Sequence, residues 1–428
     1  MKASIVTMGC KVNQFESTAM LEMLRADGYE LSPPENVDLV VLNTCAVTGR
    51  AESEAISLLR RLRRQNPQAK LIGLGCLAQI NPGRLEGLCD LILGQSQKSA
   101  LTKFIGLPVG TALVSSQPGP IGDLGDPRPR RTRALHKIQD GCDAFCSYCA
   151  VPMARGPSRS FGPDRVLSGL ESYLDMGVRE VVLTGIHLGL WGRDLQPGRD
   201  LSVLLREIDR AMGPRLSGLR IRLSSLEPLE VPLALEAICG FNWLAPHIHA
   251  PIQSGSDRIL GRMGRPYSKD QALGILLDVK ASMPDLNLGT DLLIGFPGES
   301  DDDFEETLSL AEALPLGYLH VFPFSPRPGT KASRLEDQIS PALKRARVAR
   351  LKNLDKAKRA AFLESQVGRW RPAIVENSHH RSGRLKVLTD NYIPALLPEG
   401  CPVSPGAAVE VMLSAPRNPF GLAEASCG

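Results

Sequence analysis

A chain of 428 residues, 43% hydrophobic and 22% charged, is ordinary globular material with room for two to four domains. No apolar run reaches the ~18 residues of a membrane span, and MKASIVTMGCKVNQ is too short an apolar start for a signal peptide, so a cytoplasmic protein with no membrane partner is expected. Ten cysteines then point away from a disulfide framework and toward metal, cluster or core roles, while a formal net charge of +4 does not by itself select nucleic acid.

Residues 1–106 alternate buried-strand and amphipathic-helix patterns. SIVTMG, DLVVLN, KLIGLG and CDLILG read as parallel strands, with helices around Asn13–Ala26 and Ala51–Gln65, which predicts an open α/β domain. Residues 107–133 turn to Gly, Pro, Ser and Asp without periodicity and read as a linker. Over residues 134–365 six strand-then-helix units follow: LHKIQ with a helix from about Pro163, EVVLTG with Leu201–Met212, LRIRLS with Leu229–Cys239, HIHAPI with a helix from about Lys269, LNLGTDLLIG with Asp303–Leu314, and GYLHVFPF. Six are too few for a closed eight-stranded barrel, so a partial (β/α)6 parallel barrel is expected, laterally open, with its chemistry at the carboxyl ends of the strands. A basic helix, Leu343–Glu364, closes this part. Residues 366–428 carry short strands (RPAIVE, RLKVLTD, AVEVMLS) between Gly/Pro turns and predict a small antiparallel β-barrel.

Two basic stripes interrupt the even charge distribution. One holds Lys344, Arg345, Arg347, Arg350, Lys352, Lys356, Lys358 and Arg359 against Asp355 and Glu364; the other holds Arg128, Arg130, Arg131, Arg133 and Lys137. A polyanion would meet such stripes first, and a solvated helix face and a linker account for them equally well.

The densest chemical signal is DGCDAFCSYCAVP, where Cys142, Cys146 and Cys149 stand in C-x3-C-x2-C spacing directly after the first barrel strand. Three thiolates on one loop can hold three corners of a four-iron cluster and leave the fourth iron open. S-adenosylmethionine chelated to that iron would be cleaved to a 5′-deoxyadenosyl radical, with the protein positioning and shielding the cofactor. A structural zinc would want a matched fourth ligand; His136 and His187 are available but complete no paired pattern, and three core cysteines are the blander alternative. Tyr148, between the last two cysteines, either covers the nucleotide or packs on the barrel rim.

The spacing, with an aromatic residue before the final cysteine, resembles the radical S-adenosylmethionine superfamily, and KIQDGCDAFCSYCAVPMARGPSRS is similar to its methylthiotransferase branch. A second trio fits that resemblance. IVTMG runs into Cys10, LVVLNT into Cys45 and LIGLG into Cys76, so three cysteines remote in sequence should converge at the carboxyl edge of the first sheet. Three separate buried cysteines is the plain alternative. Cys89 precedes its strand and belongs to the opposite edge and the core, and Cys239, Cys401 and Cys427 are read as structural. The resemblance implies two 4Fe-4S clusters, on Cys10, Cys45 and Cys76 and on Cys142, Cys146 and Cys149. It further implies one S-adenosylmethionine methylating sulfur at the auxiliary cluster, and a second supplying the radical that removes hydrogen from the substrate carbon.

Polar residues at the other barrel strand ends are candidates for lining the cofactor: Thr184, Gly185, His187, Ser225, Glu227, Gln253, Ser254 and Asp291. Each also suits a turn or loop cap, and His187 a hydrogen-bonded loop histidine. Arg155, Arg159 and Arg327 are candidates for phosphate contacts or are solvated loop residues. The carboxyl-terminal segment resembles the small RNA-binding barrel called TRAM, which makes the third part TRAM-like. GCKVNQFE and NTCAVT look most like the branch acting on threonylcarbamoyladenosine beside the tRNA anticodon; sister branches act on isopentenyladenosine or a ribosomal-protein aspartate. The partners so implied are a tRNA anticodon stem-loop, an electron donor such as flavodoxin or ferredoxin, and a sulfur donor.

Overall fold

The computed structural model describes residues 1–415 and 422–427; residues 416–421 of the expected TRAM-like segment, Gly428 and the side chain of Cys427 lie outside the described ones. The chain divides into two units, one of residues 1–129, 135–159 and 325–334, the other of 130–134, 160–324 and 335–428.

In the first unit the elements run β1 (Lys2–Thr7), α1 (Lys11–Ala26), β2 (Glu30–Leu31), β3 (Leu39–Thr44), α2 (Gly49–Gln65), β4 (Lys70–Gly75), α3 (Cys76–Ile80), β5 (Leu91–Leu93), α4 (Leu101–Phe104), β6 (Thr111–Leu113), β7 (Ala134–Lys137), β8 (Gln139–Asp140) and α5 (Val151–Arg155). Strands β1 to β6 form one parallel sheet in the order β2-β1-β3-β4-β5-β6. Strand β3, LVVLNT, is buried along its whole length because both faces of a parallel sheet are covered. Its alternation divides the core: Val40 and Leu42 pack with Ile56, Leu59 and Leu62 of α2, while Leu39 and Val41 pack with Met20, Leu21 and Leu24 of α1. Cys89 lies in the α2-side core, as its place before β5 implies. Within the stretch read as linker, β6 extends the sheet as its outer strand on β5.

The second unit continues with β9 (Arg159–Ser160), α6 (Pro163–Asp175), β10 (Glu180–Thr184), α7 (Leu201–Met212), β11 (Arg220–Leu223), α8 (Val231–Gly240), β12 (His247–His249), α9 (Asp257–Met263), α10 (Lys269–Ser282), β13 (Asn287–Ile294), α11 (Asp301–Ala313), β14 (Tyr318–Pro323) and α12 (Pro341–Gln366). Strands β10 and β11 pair in parallel, as do β12, β13 and β14, and Ile221 of β11 bridges to Leu244 just before β12. This is the expected run of parallel strands and crossover helices. One helix was not anticipated: α9 forms where the Ser256 side chain caps its amino terminus and Gly264 adopts a left-handed conformation at its end.

Helix α12 leads into β15 (Trp370–His379), β16 (Leu385–Thr389), β17 (Pro394–Leu396), β18 (Ala408–Ser414) and β19 (Ala423–Cys427), closed in the order β15-β16-β17-β19-β18. The expected barrel is therefore present, with one departure from antiparallel pairing, since β17 and β19 run parallel. Its inner positions, among them Val375, Val387, Ala395 and Val411, form a separate core. The small barrel is fastened to the parallel strands. Glu180 holds Arg220 at 2.6 Å and Arg222 at 3.0 Å, and these guanidiniums donate to the carbonyls of Pro372, Leu388 and Thr389.

Candidate metal centres

The strand register sets the amino-terminal trio. Thr7 of β1 lies opposite Asn43, and Thr44 of β3 opposite Gly75 of β4, so Cys10, Cys45 and Cys76 leave neighbouring strands at the same sheet edge. Cys10 caps α1 and is exposed, whereas Cys45 and Cys76 are buried. Gly9 has φ +90°, and a Cβ there would stand 2.8 Å from the Cys45 Sγ, so only glycine lets the two loops approach. Burial, then the neighbouring Cys76, pushes the Cys45 thiol up to about 11, against an amide donated by Val47 and the charge of Arg155. Burial also raises Cys76, while Arg155 and Lys98 pull it down. Thiols of this kind bind a metal as thiolates, giving up their protons to solvent as it binds. Gln95 adds a polar group suited to such a guest: it is buried, donates to the Cys76 Sγ at 3.2 Å, and its Oε1 has no hydrogen-bond partner among the described residues. The residues fit a three-thiolate cluster with one open iron.

The second trio belongs to the same unit. Gly141, at φ +71°, permits the turn into Cys142; a Cβ would fall 1.8 Å from the Pro157 carbonyl oxygen. Cys142 donates its amide to the Gly156 carbonyl at 3.1 Å and Cys149 to that of Cys146 at 3.0 Å. The amides of Ala144 and Val151 point at the Cys142 and Cys149 sulfurs at 3.5 and 3.4 Å, a pattern suited to cluster thiolates. Phe145 has φ +46° and is 64% exposed, an uncommon conformation for an aromatic residue and one that opens the loop. Ala332 donates to the Ser147 carbonyl at 2.8 Å, bracing the loop between its last two cysteines. Tyr148 beside it is half-buried.

Between the two loops lies a group that sequence reasoning missed. Glu16 of α1 is fully buried and accepts from Lys98 at 2.7 Å, Lys137 at 2.8 Å and Arg155 at 2.8 Å, and Asp140 accepts from Lys137 and Arg155, each at 2.8 Å. Arg155, expected to meet phosphate or solvent, does neither. Its side chain is 1% exposed because these two carboxylates and Asn13 Oδ1, at 2.7 Å, enclose it. Arg327 is likewise buried, on Glu52 at 2.5 Å, and Arg159 donates to the Arg155 carbonyl at 2.8 Å. The one available sign was Glu16 itself, an acid on the buried stripe of α1 beside Val12, Phe15 and Ala19.

In the second unit the strand-end residues separate by environment. Thr184 is buried at the end of β10, followed by half-buried Gly185. Ser225 is exposed after β11. His187 pairs with Glu230 at 2.7 Å, the hydrogen-bonded loop histidine foreseen as one alternative. Glu227 accepts from Arg265 at 2.5 Å, and burial raises its carboxyl against that charge. Ser254 is 1% exposed, its hydroxyl engaged by Thr307 and the Ser256 amide, so it braces the turn. Gln253 holds φ +74°, a strained placement for a non-glycine residue beside Asp291. Asp291 accepts from His249 at 2.9 Å and His320 at 3.1 Å, and His249 Nδ1 lies 3.0 Å from the Tyr318 hydroxyl. Burial would raise Asp291, but the two imidazole hydrogen bonds outweigh it and hold the carboxyl well below the usual range. Neither histidine was singled out from the sequence, because HIHAPI and YLHVFP read simply as strands.

The basic helix is less available than its composition suggests. Arg347 is buried on Glu299 at 2.6 Å, Arg350 pairs with Glu305, Arg359 with Asp355, and Lys344 and Lys358 donate to backbone carbonyls. Arg345 and Lys352 are exposed with no hydrogen bond or ion pair among the described residues. Lys352 and Lys356 rim an open groove of about 490 Å³ that also includes His320 and Phe322 of β14.

Comparison with known proteins agrees with this architecture. The model of the radical SAM superfamily matches residues 137–311, and that described as uncharacterized protein family UPF0004 matches residues 2–94. A radical S-adenosylmethionine methyltransferase from Kitasatospora setae, TsrM, solved with cobalamin and a [4Fe-4S] cluster, superposes with a TM-score of 0.57 at 16% identity, over 78% of this chain and 77% of that one. Fold and matched segments together define a radical S-adenosylmethionine enzyme.

The threonylcarbamoyladenosine tRNA methylthiotransferases MtaB of Thermotoga maritima and Aquifex aeolicus are 36% and 35% identical, over 87% and 92% of this chain and 86% and 96% of theirs. A tRNA-2-methylthio-N(6)-dimethylallyladenosine synthase of Moorella thermoacetica is 33% identical over 87% of this chain and 86% of its own. The chain belongs to the radical S-adenosylmethionine methylthiotransferase family, whose cofactors are two 4Fe-4S clusters and S-adenosylmethionine. Among the described residues no helix is long and apolar enough to cross a membrane.

Proposed function

We propose that this enzyme is a cytoplasmic tRNA methylthiotransferase that places a methylthio group on C2 of N6-threonylcarbamoyladenosine beside the anticodon. The observation that carries the substrate is the whole-length similarity to relatives named for that nucleoside, at 35–36% identity against 33% for the dimethylallyladenosine relative. The margin over the sister branch is small, so the test has to be chemical.

Cys142, Cys146 and Cys149 are read as the ligands of the radical cluster and Cys10, Cys45 and Cys76 as those of the auxiliary one. The radical cluster, when bound with S-adenosylmethionine on its open iron, supplies the electron that generates the hydrogen-abstracting radical. The chain's own part is to hold and shield. Buried β-strand ends exclude water around Cys45 and Cys76, and Asp291, kept ionised by His249 and His320, offers a fixed acceptor on the barrel strands for a hydroxyl or amine of the cofactor. Exposed Arg345 and Lys352 supply phosphate contacts, alongside a TRAM-like barrel suited to structured RNA. An external electron donor such as flavodoxin or ferredoxin and a sulfur donor complete the partners.

tRNA nucleosides from cells lacking the protein should lack 2-methylthio-N6-threonylcarbamoyladenosine. Its persistence, with loss of the isopentenyl analogue instead, would move the chain to the sister branch.

A further inference from the structure

The buried charges between the two cysteine loops do not balance. Among the described residues, the acids that Lys98, Lys137 and Arg155 pair with are Glu16 and Asp140, and the five side chains are at most 5% exposed. Burial would raise Glu16, yet Arg155, Lys137 and Lys98 hold it well below the usual carboxylate range, and Asp140 accepts from two cations, each at 2.8 Å. The group therefore holds one basic side chain more than it has acids, and burial lowers Lys98 against the opposing charge of Glu16. A surplus charge in a dry interior is expensive unless an opposite charge sits nearby. The groups on hand are the amino-terminal cysteine turns, which Arg155 reaches through Asn13. A doubly positive four-iron core held by three thiolates carries one net negative charge and gains another on reduction.

The cation is also fixed in place. Arg155 donates to Asn13 Oδ1 at 2.7 Å, and Asn13 Nδ2 donates to the carbonyls of Met8 at 2.9 Å and Thr44 at 3.0 Å, the residues just before the Cys10 and Cys45 turns. Arg155 itself ends α5, next to Gly156, whose carbonyl accepts the Cys142 amide at 3.1 Å. One guanidinium therefore joins three cysteine-bearing turns.

We propose that the buried cation surplus centred on Arg155 is the counter-charge of the amino-terminal cluster and raises its reduction potential. Arg155 acts here as a positioning residue through charge and through Asn13, without touching substrate. The inference rests on the reading of Cys10, Cys45 and Cys76 as cluster ligands.

The test uses the full chain with Cys142→Ala, Cys146→Ala and Cys149→Ala, so that one cluster gives the signal. Iron counting comes first: about four irons per chain are expected. Their absence would overturn the ligand reading and this inference with it. On iron-loaded protein, an EPR-monitored redox titration should show Arg155→Gln and Lys98→Gln each shifting the reduction equilibrium against the reduced state at least tenfold, about 59 mV for one electron. Glu16→Gln should shift it the opposite way, and Arg155→Lys, which keeps the charge, should stay near the parent. Lys98 lies on a different segment from Arg155, so its variant tests the charge even where Arg155→Gln loads poorly. Unchanged potentials in the loaded variants, or a shift of the same sign for Glu16→Gln and the cation variants, would overturn the proposal. A pocket that is merely loosened gives the second pattern.

Discussion

The Thr44 hydroxyl accepts the Leu77 amide at 3.1 Å and donates to the Leu74 carbonyl at 2.6 Å, so one buried side chain ties the residue before Cys45 to the turn that carries Cys76. Thr44→Val keeps the shape and removes both bonds, leaving a buried amide without its acceptor, which costs roughly 1 to 3 kcal/mol. The strand register remains, and the geometry between two thiols is lost. We expect Thr44→Val to fold with an unchanged circular dichroism spectrum while holding about half the iron of the wild type. Wild type should carry about eight irons per chain. Iron and acid-labile sulfide counts on anaerobically purified protein measure it, and a full wild-type content would show that the bridge does not shape the site.

Acid should weaken the clasp between the parallel strands and the small barrel. Burial would raise Glu180, but Arg222 and then Arg220 bring it down to about 2 from an ordinary value near 4.5. A carboxyl with a depressed folded pKa contributes stability that is complete above the unfolded value and is lost as pH falls through the folded one. The window is thus pH 4.5 to about 2. Glu180→Gln removes that contribution and leaves two buried guanidiniums short of a counter-charge, so its stability should be lower at pH 7 and should fall less steeply through this window than that of the wild type. Urea titrations at several pH values would show the converging curves, and parallel curves would contradict the assignment.

How much of this was legible beforehand depended on whether an interaction is local in sequence. Cys10, Cys45 and Cys76 could be brought to one edge because parallel strands share a carboxyl end, a rule that needs no contact map. Cys142, Cys146 and Cys149 could be grouped by spacing alone. Arg155 was not, because its partners Glu16 and Asn13 are 139 and 142 positions away and no periodicity links an acid on α1 to a guanidinium on α5. The basic stripe on α12 stayed ambiguous for the same reason: Glu299, Glu305 and two backbone carbonyls, all distant in sequence, decide which of its cations remain open. Within the barrel strands, period two identified His249, Asp291 and His320 as strand residues but said nothing of their meeting across three strands.

The Asp291 cluster makes a separate prediction. With His249 and His320 both bonded to Oδ1, Asp291 stays ionised far below neutrality. Asp291→Asn keeps the size but supplies a weaker, neutral acceptor, so turnover should fall roughly 10- to 100-fold, the scale of one lost charge-assisted contact. Both clusters should load normally, since none of the six cysteines lies in this unit. Methylthio product per iron-loaded enzyme, with binding of S-adenosylmethionine followed in parallel, reports it. Equal activity in Asp291→Asn would reduce the trio to strand packing.

The cations of α12 should divide into two classes by their environment. Arg347 is enclosed by Glu299 and Asp301, and Arg347→Met strands those carboxylates, one of them buried, at a cost of roughly 3 to 5 kcal/mol. RNA affinity of the folded fraction should not change. Lys352, exposed at the rim of the β14 groove, should behave in the opposite manner. Lys352→Glu leaves stability within about 0.5 kcal/mol of wild type. It should weaken tRNA binding uniformly across sequences and lower the slope of log affinity against log salt by about one, the signature of a lost phosphate contact. Thermal unfolding and salt-dependent binding of an unmodified anticodon stem-loop read the two properties independently. An unchanged salt slope in Lys352→Glu, repeated in Arg345→Glu, would mean that RNA does not cross this helix and that its charge serves the fold alone.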